Sequence, residues 1–272
     1  NFNYKHNGDL WRYNLNYFDW LNQKNSNLNL GINTLSEYYS KSNSNPISLH
    51  PYPASLRVVN SVKFYLTHDI TTKELMNGLA ADLDLISRRL EFHIMGNHLL
   101  ENAFALFVGG IFLCNKKWTT KGLKLMKNQL NEQILFDGMH FERSPMYHMI
   151  IMERLLDALN ISISAKNPAT PFLKRKAIQM IAMAKNWEDL DHIPMFNDSA
   201  HEVSKTLLNL LSYAKSLLGP LYPKLKSSYN ESGFKSLSLG GFILIANVGS
   251  IYPNYQPGHS HANELTFSLF HK

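Results

Sequence analysis

The chain has 272 residues, 44% of them hydrophobic and 18% charged, which is the composition of a globular protein with a sizeable core. Lysine and arginine outnumber aspartate and glutamate by 27 to 21, and this modest surplus favours an anionic partner. No cluster of basic and aromatic residues indicates nucleic acid, no apolar run approaches the roughly 18 residues of a membrane span, and the single Cys114 excludes disulfides and cysteine metal clusters.

Up to about residue 217, apolar residues recur with the 3.6-residue period of α-helices. A helix is predicted through Tyr65 after the turn at 50–57, and another to about Phe92 after a capping box at 71–74. Further helices are predicted over 97–114, 119–133, 145–161, 171–187 and 200–217. A capping box formed by Ser199 and Glu202 would open the last of them. Helices of this number with short connections predict stacked antiparallel hairpins.

Beyond residue 219 the period changes. Strands are predicted over 236–239 and 242–248, around a turn at Gly240 and Gly241, and again over 265–270. Three strands are too few for an independent sheet, so we expect the sheet to be completed elsewhere. The chain also opens on an asparagine rather than a methionine, which favours a processed or truncated protein. We predict a helical domain over 1–225 and the beginning of a β-domain over 226–272.

The stretch DGMHFERSPMYH (137–148) brings acidic, basic and imidazole side chains to a predicted helix start. Ser144 is a favourable N-cap residue, so Tyr147 falls in the first helical turn, beside Arg143 and His148. The helix dipole and these cations favour a phenolate. Ionising free tyrosine at pH 7 costs roughly 4 kcal/mol, of which a helix end supplies about 0.3–1. The alternative is a tyrosine that merely covers a buried helix end.

The helix predicted from Asn97 carries an unusual polar stripe. At about 100° per residue, polar and small side chains fall within one arc of roughly 140°. They are Asn97, His98, Glu101, Asn102, Ala105 and Gly109. A solvated stripe normally uses Lys, Glu and Arg, so this one predicts the wall of a cleft. A hydrogen-bonded network between helices is the alternative.

Three further positions are candidates for binding. His259 and His261 have a spacing that serves a metal ion if the backbone is extended and other ligands come from elsewhere. Arg57 is either a carboxylate or sulfate clamp or a member of a surface ion pair. Asp198 and Ser199 are explained by capping of the helix predicted after them. The motifs of serine hydrolases, P-loop proteins and zinc proteases are missing from the sequence.

Five motifs, in this order, resemble the heparinase II/III family of polysaccharide lyases and its alginate-lyase relatives. They are HPYPASLRVVN (50–60), GNHLLENAFALFVGG (96–110), DGMHFERSPMYH (137–148), FNDS (196–199) and NYQPGHSHANELTFSL (254–269). Together they extend over nearly the whole chain. The resemblance implies a mainly α fold, with an incomplete (α/α) toroid followed by an antiparallel β-sandwich. It also implies β-elimination at uronic acids.

The resemblance assigns roles to individual residues. Asn97 and His98 would neutralise the uronate carboxylate, with Glu101 in support. Tyr147 would act as base, acid or both, and His259 would complete the site from the β-domain. No cofactor is required for this reaction.

The resemblance suggests one metal, a structural zinc ion in the β-domain. His261 is similar to a zinc ligand of some family members, whose other zinc ligands lie further along the chain than Lys272. Asn263 stands where the family often has aspartate.

The physical chemistry of β-elimination suits these residue types. The C5 proton of a uronate is barely acidic because the carboxylate is already charged, so hydrogen bonds and cations must let an enolate-like charge develop. A base then removes the proton and an acid protonates the departing oxygen. We expect seven residues to help bind the polyanion. They are Arg57, Glu101, Asn102, His140, Glu142, Arg143 and His148.

We therefore expect a bacterial polysaccharide lyase, periplasmic or secreted, that acts on an acidic polysaccharide such as a glycosaminoglycan. Two alternatives stay open. One is a related toroid protein of capsule or O-antigen metabolism that binds or hydrolyses its polysaccharide, and hydrolysis would need two opposed carboxylates. The other is a non-catalytic helical interaction module whose polar stripe is structural.

Overall fold

The computed structural model describes residues 2–41, 45–219, 231–250, 253–255, 257–261 and 266–271. Within these ranges the chain forms nine α-helices followed by three β-strands. The helices are α1 (Asp9–Leu15), α2 (Leu28–Lys41), α3 (Pro51–Thr67), α4 (Lys73–Arg88), α5 (Gly96–Phe112), α6 (Lys116–Gln133), α7 (Pro145–Ser164), α8 (Thr170–Ala184) and α9 (Leu207–Leu218). The strands are β1 (Phe234–Leu239), β2 (Phe242–Asn247) and β3 (Thr266–His271).

The predicted order of elements, with helices first and an antiparallel sheet last, is confirmed. No helix in the described ranges is both long and apolar enough to cross a membrane. The chain divides into two compact units, Asn1–Lys127 and Asn128–Lys272. The domain boundary predicted between residues 225 and 226 lies outside the described residues.

The first unit is built around α3 and α5. Twelve of the 17 residues of α3 and fourteen of the 17 residues of α5 are buried, so both helices are internal rather than one-sided. Their approach depends on Gly109. A Cβ atom there would lie 2.8 Å from Leu83 of α4 and 3.0 Å from Val58 of α3. Three helices therefore meet where α5 has no side chain.

The second unit is built around α7, which packs against α8 and α9. The predicted start of α7 is confirmed. Pro145 occupies the first turn, and the Ser144 side chain accepts a hydrogen bond from the Tyr147 N–H at 3.3 Å. The helix thus presents Tyr147 at a fixed position close to its N-terminus.

Both predicted capping boxes are wrong. Thr72 precedes α4 without a side-chain hydrogen bond, and α4 ends at Arg88 rather than near Phe92. Residues 200–206 are not helical, so α9 begins at Leu207. The Ser199 hydroxyl instead contacts the start of α7. It lies 2.9 Å from Ser144 Oγ and accepts a hydrogen bond from the Met146 N–H.

The three strands form an antiparallel sheet in chain order. The predicted turn between β1 and β2 is confirmed: Leu239 pairs with Phe242, and both turn glycines have the positive φ angles of a tight hairpin, 56° and 85°. The buried residues of the sheet, Phe234, Ile245, Asn247 and Phe270, all lie on one of its faces. The first residue predicted for β3, Leu265, lies outside the described residues.

Candidate active site

Three of the sequence motifs meet in the second unit. Asn197 Nδ2 donates to the Arg143 carbonyl at 2.8 Å, and the Asp198 N–H donates to the His259 carbonyl at 3.1 Å. The segments brought together are 137–148, 196–199 and 257–261. The expectation that Asp198 and its neighbours serve only to cap a following helix is therefore wrong. These residues instead join the start of α7 to the segment that carries His259.

We call Tyr147, His259, Glu142 and Asp198 the His259 cluster. The His259 ring stacks on the Tyr147 ring, with centroids 4.1 Å apart and planes 10° from parallel. Its Nδ1 atom lies 2.7 Å from Glu142 Oε2, and its Nε2 atom lies 4.0 Å from Asp198 Oδ2. Glu142 is 2% exposed, whereas the Asp198 side chain is 47% exposed. The imidazole is therefore fixed by a buried carboxylate on one edge and faces an exposed carboxylate on the other.

The surroundings of His259 raise its pKa. Burial acts to lower the pKa, but the hydrogen bond that His259 donates to Glu142 and the charges of Glu142 and Asp198 act in the opposite direction and prevail. Because Nδ1–H donates to Glu142, Nε2 is the nitrogen that can exchange a proton with a bound ligand.

The expectation that the surroundings of Tyr147 favour the phenolate more than water does is wrong. Burial raises the pKa of its phenol above the ordinary value, and the carboxylates of Asp198 and Glu142 raise it further. Neither of the two expected cations is available to the phenol. The Arg143 guanidinium donates to two backbone carbonyls, and His148 is a buried, neutral imidazole. Tyr147 therefore keeps its proton in the resting protein.

Two neighbouring histidines are completely buried. Burial, with a contribution from the His259 charge, lowers the pKa of His140 to about 4 against the opposing effect of Glu142. Burial likewise lowers the pKa of His148 to about 3. His148 Nε2 donates to a backbone carbonyl at 3.1 Å, and its Nδ1 accepts from the His140 N–H at 3.2 Å. Both rings are neutral supports of the loop before α7, and we assign neither to direct contact with substrate.

Arg143 and Asp137 hold the chain that enters and leaves the first hairpin of the sheet. Arg143 donates to the Ser250 carbonyl at 2.5 Å and to the Glu231 carbonyl at 3.1 Å. Asp137 Oδ2 accepts from the N–H groups of Glu231 and Ser232, at 3.0 and 2.8 Å. Arg143 also has a φ angle of 54°, a costly conformation for a residue other than glycine. The Arg143 guanidinium therefore binds backbone carbonyls of the second unit, and we do not assign it to direct contact with substrate.

A second group of residues, which we call the His98 cluster, lies in the first unit and comprises His98, Glu91, Asn102 and Tyr52. The His98 ring stacks on the Tyr52 ring, with centroids 4.0 Å apart, and its Nδ1 atom lies 3.3 Å from Glu91 Oε1. Asn102 binds Glu91 twice, through its Nδ2 at 2.9 Å and through its Oδ1 at 3.0 Å. With Nδ1 directed at Glu91, Nε2 of the partly exposed His98 is the nitrogen left for a ligand.

The polar stripe of α5 reaches the surface only at His98, because the other stripe residues are buried. Asn97 is 3% exposed, and its Oδ1 has no hydrogen-bond partner among the described residues. Glu101 is completely buried. Asn102 donates to Ser55 Oγ at 3.1 Å, so the alternative of a network between helices is confirmed for that residue. The predicted cleft wall is limited to the first turn of α5.

Arg57 is completely buried, which corrects both the predicted substrate clamp and the predicted surface pair. Its Nε and Nη2 atoms donate to Asp82 at 2.9 and 2.5 Å, and its Nη1 donates to the Asn16 carbonyl at 3.2 Å. The guanidinium lies 4.6 Å from the centroid of the Tyr38 ring. Arg57 therefore holds α3, α4 and the N-terminal segment together in the first unit.

The sequence interpretation did not single out Glu91, Tyr52 or the electrostatic role of Asp198. Glu91 lies in the non-helical connection before α5, where no periodicity signals which way a side chain returns. A turn with positive φ at Met95 leads from Glu91 to the start of α5, and a residue other than glycine gives little warning of such a turn. Tyr52 lies within the motif HPYPASLRVVN (50–60), which does not show that its ring stacks on His98.

His261 is the predicted metal ligand. Its Nε2 atom lies 4.0 Å from Asp198 Oδ1, and its side chain is 54% exposed. Among the residues that the structure describes, no group of three or more His, Cys, Asp or Glu side chains is arranged to hold a metal ion. Asn263 lies outside those residues. The zinc site stays a prediction that rests on the resemblance.

The sequence matches the family Heparinase II/III N-terminus over residues 11–225. Because this match extends over most of the chain, the chain belongs to that family. The resemblance on which the site residues were selected is thereby confirmed.

Two bacterial heparin-sulfate lyases are similar in sequence. The chain is 29% identical over 128 residues to the protein of Bacteroides thetaiotaomicron, a match that covers 42% of this chain and 18% of that protein. It is 25% identical over 134 residues to the protein of Pedobacter heparinus, covering 46% of this chain and 20% of that protein.

Solved structures agree in fold. A crystal structure of heparinase III matches with a TM-score of 0.67 at 17% identity, covering 96% of this chain and 48% of that chain. The heparan sulfate lyase HepC from Pedobacter heparinus matches with a TM-score of 0.57 at 16% identity, covering 100% of this chain and 50% of that chain. At these identities the likeness shows the fold alone, and it confirms the fold class that the resemblance implied. The chain spans about half the length of these solved proteins.

Proposed function

We propose that this chain is part of a bacterial polysaccharide lyase that cleaves a uronic-acid-containing polysaccharide by β-elimination. The His259 cluster carries the proposal, because a buried glutamate fixes an imidazole against the phenol of Tyr147. The glutamate and the imidazole lie 117 residues apart in the chain. Family membership and the similarity to heparin-sulfate lyases support a glycosaminoglycan as the substrate.

Asn97 and His98 are the proposed groups that neutralise the uronate carboxylate. His98 offers its Nε2 atom, and Asn97 offers the N–H groups of its amide. Both residues lie in the first turn of α5, where no side chain caps the helix and the positive end of the helix dipole favours an anion. Hydrogen bonds that strengthen as charge moves onto the carboxylate stabilise the transition state more than the ground state.

Tyr147 and His259 are the proposed pair that moves protons. His259 Nε2 removes the C5 proton, and its raised pKa makes it the stronger base. The electron pair of the C5–H bond forms the C4–C5 double bond while the C4–O bond breaks. Tyr147, whose phenol keeps its proton at neutral pH, protonates the departing glycosidic oxygen.

The carboxylates of the His259 cluster favour elimination over hydrolysis. A glycoside hydrolase needs two carboxyl groups that face the scissile bond. Glu142 is buried and bonded to His259, so Asp198 is the one exposed carboxylate of this cluster. Glu142 instead fixes the imidazole, in the way that a buried aspartate orients the histidine of a catalytic triad.

The elimination itself requires no cofactor in this proposal, and a structural zinc ion at His261 stays an expectation. We also propose a periplasmic or secreted location, because a bacterium meets polymers of this kind outside its cytoplasm. The relatives named above are bacterial.

Incubation of the full-length protein with heparin, heparan sulfate, chondroitin sulfate, hyaluronan and alginate tests the proposal. Elimination leaves an unsaturated uronate that absorbs ultraviolet light, whereas hydrolysis leaves a saturated end. We expect the absorbance to rise with at least one polymer. Cleavage without the new double bond would establish a hydrolase, and binding without any cleavage would support a non-catalytic module.

A further inference from the structure

The positive charge of the first unit is concentrated on α6. Residues 1–127 contain fourteen lysines and arginines and nine aspartates and glutamates, a surplus of five basic residues. The number of lysines in α6 is also five. They are Lys116, Lys117, Lys121, Lys124 and Lys127. Residues 102–131 contain no acidic side chain. A solvated helix normally mixes both signs, as α4 does with Glu74, Asp84 and Arg88, so α6 departs from that pattern.

All five lysines are exposed and lie on one face of α6. At about 100° per residue they fall within an arc of roughly 140° and extend along about 16 Å of helix. The opposite face is fixed against α5. A Cβ atom at Gly122 would lie 2.5 Å from the Phe107 nitrogen and 2.9 Å from the Ala103 oxygen, so the two backbones are in contact. The helix cannot rotate to bury its charges.

The lysine face of α6 continues onto the end of α4. Lys121 Nζ donates to the Ser87 carbonyl at 2.5 Å, and the exposed Arg89 follows Ser87 by two residues in the chain. Three of the lysines make no ion pair with any described residue, namely Lys116, Lys117 and Lys124. The surface therefore offers several uncompensated cations in a line.

A polymer with repeated anionic groups fits this surface best. Lysines act as compact point charges, which suit sulfate and carboxylate groups, and their line along the helix matches a chain rather than a single small ion. A membrane-surface helix would expose an apolar face, whereas the apolar face of α6 is packed on α5. Single-stranded nucleic acid would need aromatic platforms between the charges, and the lysine arc contains no aromatic residue.

We propose that the lysine face of α6 is a secondary binding surface for the acidic polysaccharide that the enzyme cleaves. It contacts stretches of the polymer other than the bond being broken, and it is distinct from the His98 and His259 clusters. The identity of the polymer rests on the proposed function, but the binding does not require cleavage. By holding long chains at the protein, the surface lowers KM for polymers without changing kcat.

Chromatography of the full-length protein on immobilised heparin tests this surface. The test variant combines K117Q, K121Q and K124Q. The matched control combines K5Q, K24Q and K73Q, which remove the same charge from exposed positions of the same unit. The test variant should elute at clearly lower salt than the control, and the control should elute close to the wild type. Equal shifts would overturn the proposal, because net charge alone would then explain them.

Kinetics on substrates of two lengths separate this inference from the proposed function. The test variant should show a KM several-fold higher on the long polymer at unchanged kcat, and unchanged constants on a tetrasaccharide. A lower kcat on the tetrasaccharide would contradict a role in polymer binding alone. If the wild type cleaves nothing, the proposed function fails while elution still decides the surface. Duplex DNA binding that is lost to the same extent would mark a general polyanion surface and overturn the assignment to a polysaccharide.

Discussion

The His98 cluster of the first unit and the His259 cluster of the second are built alike. Each stacks an imidazole on a tyrosine from the first turn of a helix, at centroid distances of 4.0 and 4.1 Å, and directs Nδ1 to a buried glutamate. The glutamate distance differs, being 3.3 Å for Glu91 and 2.7 Å for Glu142. An exposed carboxylate, Asp198, faces the second imidazole. The same local design can therefore orient an imidazole for binding or for proton transfer, depending on its carboxylates.

The largest expected effect is a loss of kcat on substitution of Tyr147, which substitution of Tyr52 should not cause. Tyr147→Phe keeps the ring on His259 but removes the proposed proton donor, so kcat should fall by roughly 10²–10⁴-fold. Tyr52→Phe removes the matching hydroxyl from the His98 cluster and should change kcat less than about threefold, since the role proposed for that cluster is to bind a carboxylate rather than to transfer a proton. Initial rates of unsaturated product measure both. A Tyr147→Phe enzyme that keeps more than a tenth of the wild-type kcat would contradict a role of the Tyr147 hydroxyl in proton transfer.

The two glutamates should differ in the kinetic constant that they change. A charge-assisted hydrogen bond contributes roughly 1.5–3 kcal/mol, so Glu142→Gln should lower kcat about 10–100-fold through loss of the orienting charge on His259. Glu91→Gln acts on a longer contact and on the imidazole that we propose to bind the uronate carboxylate, so it should mainly raise KM, by less than about tenfold. Steady-state kinetics on one substrate test both variants. Indistinguishable effects on kcat and KM would contradict the division of roles.

Acid should weaken the second unit through its buried histidines. Burial lowers the pKa of His140 to about 4 and that of His148 to about 3, below the ordinary 6.5 of an unfolded histidine. At a pH between the lowered pKa values of these two histidines and 6.5, the unfolded chain binds more protons than the folded chain. Their contribution to stability is therefore complete above about pH 6.5 and is lost as the pH falls towards 4. His259 acts in the opposite sense because its pKa is raised.

Hydrogen exchange at pH 7 and pH 5, corrected for intrinsic exchange rates, measures this effect in each unit. Each of the two buried histidines, His140 and His148, should lower the free energy of opening measured in α7 and α8 by on the order of 1–2 kcal/mol at pH 5. His148→Gln cannot take up a proton and should flatten the decline. Identical pH dependence of the wild type and this variant would show that the imidazole does not control acid sensitivity.

The smallest expected effect concerns the helix start below Tyr147. Ser144→Ala removes the N-cap hydrogen bond of α7 and should lower the free energy of unfolding by about 1 kcal/mol. Thr72→Ala, at a predicted cap that makes no such bond, should change it by less than about 0.5 kcal/mol. Urea denaturation compares the two. Equal losses would mean that the Ser144 bond does not stabilise the start of α7.

Local sequence signals predicted much of the fold. The helix start at Ser144 and the turn at Gly240 and Gly241 are encoded by residues within a few positions of each other, so the sequence shows them directly. The prediction that Arg143 favours the phenolate of Tyr147 is wrong because the direction of the Arg143 side chain depends on residues about a hundred positions away. Arg57 was misjudged for the same reason, since the sequence does not show which carboxylate will meet it.

The His259 cluster was identified from motif resemblance rather than from spacing. Its parts lie in three segments of the second unit, and only the fold shows that Glu142 approaches His259. In the first unit, the role of Glu91 could not be predicted because it depends on Asn102 and on the turn before α5. Long-range pairing is set by packing, which a single sequence does not display.

The anchoring of the first hairpin by Arg143 has a consequence for protein engineering. Its guanidinium binds carbonyls on both sides of the hairpin base, at Glu231 and Ser250, and a Cβ atom at Gly249 would come within 2.7 Å of it. Insertions at the hairpin tip, at Gly240 and Gly241, leave these bonds intact, whereas a side chain or an extra residue at the base displaces Arg143. Because the next residue caps α7, sequence libraries should diversify the tip and leave the base unchanged.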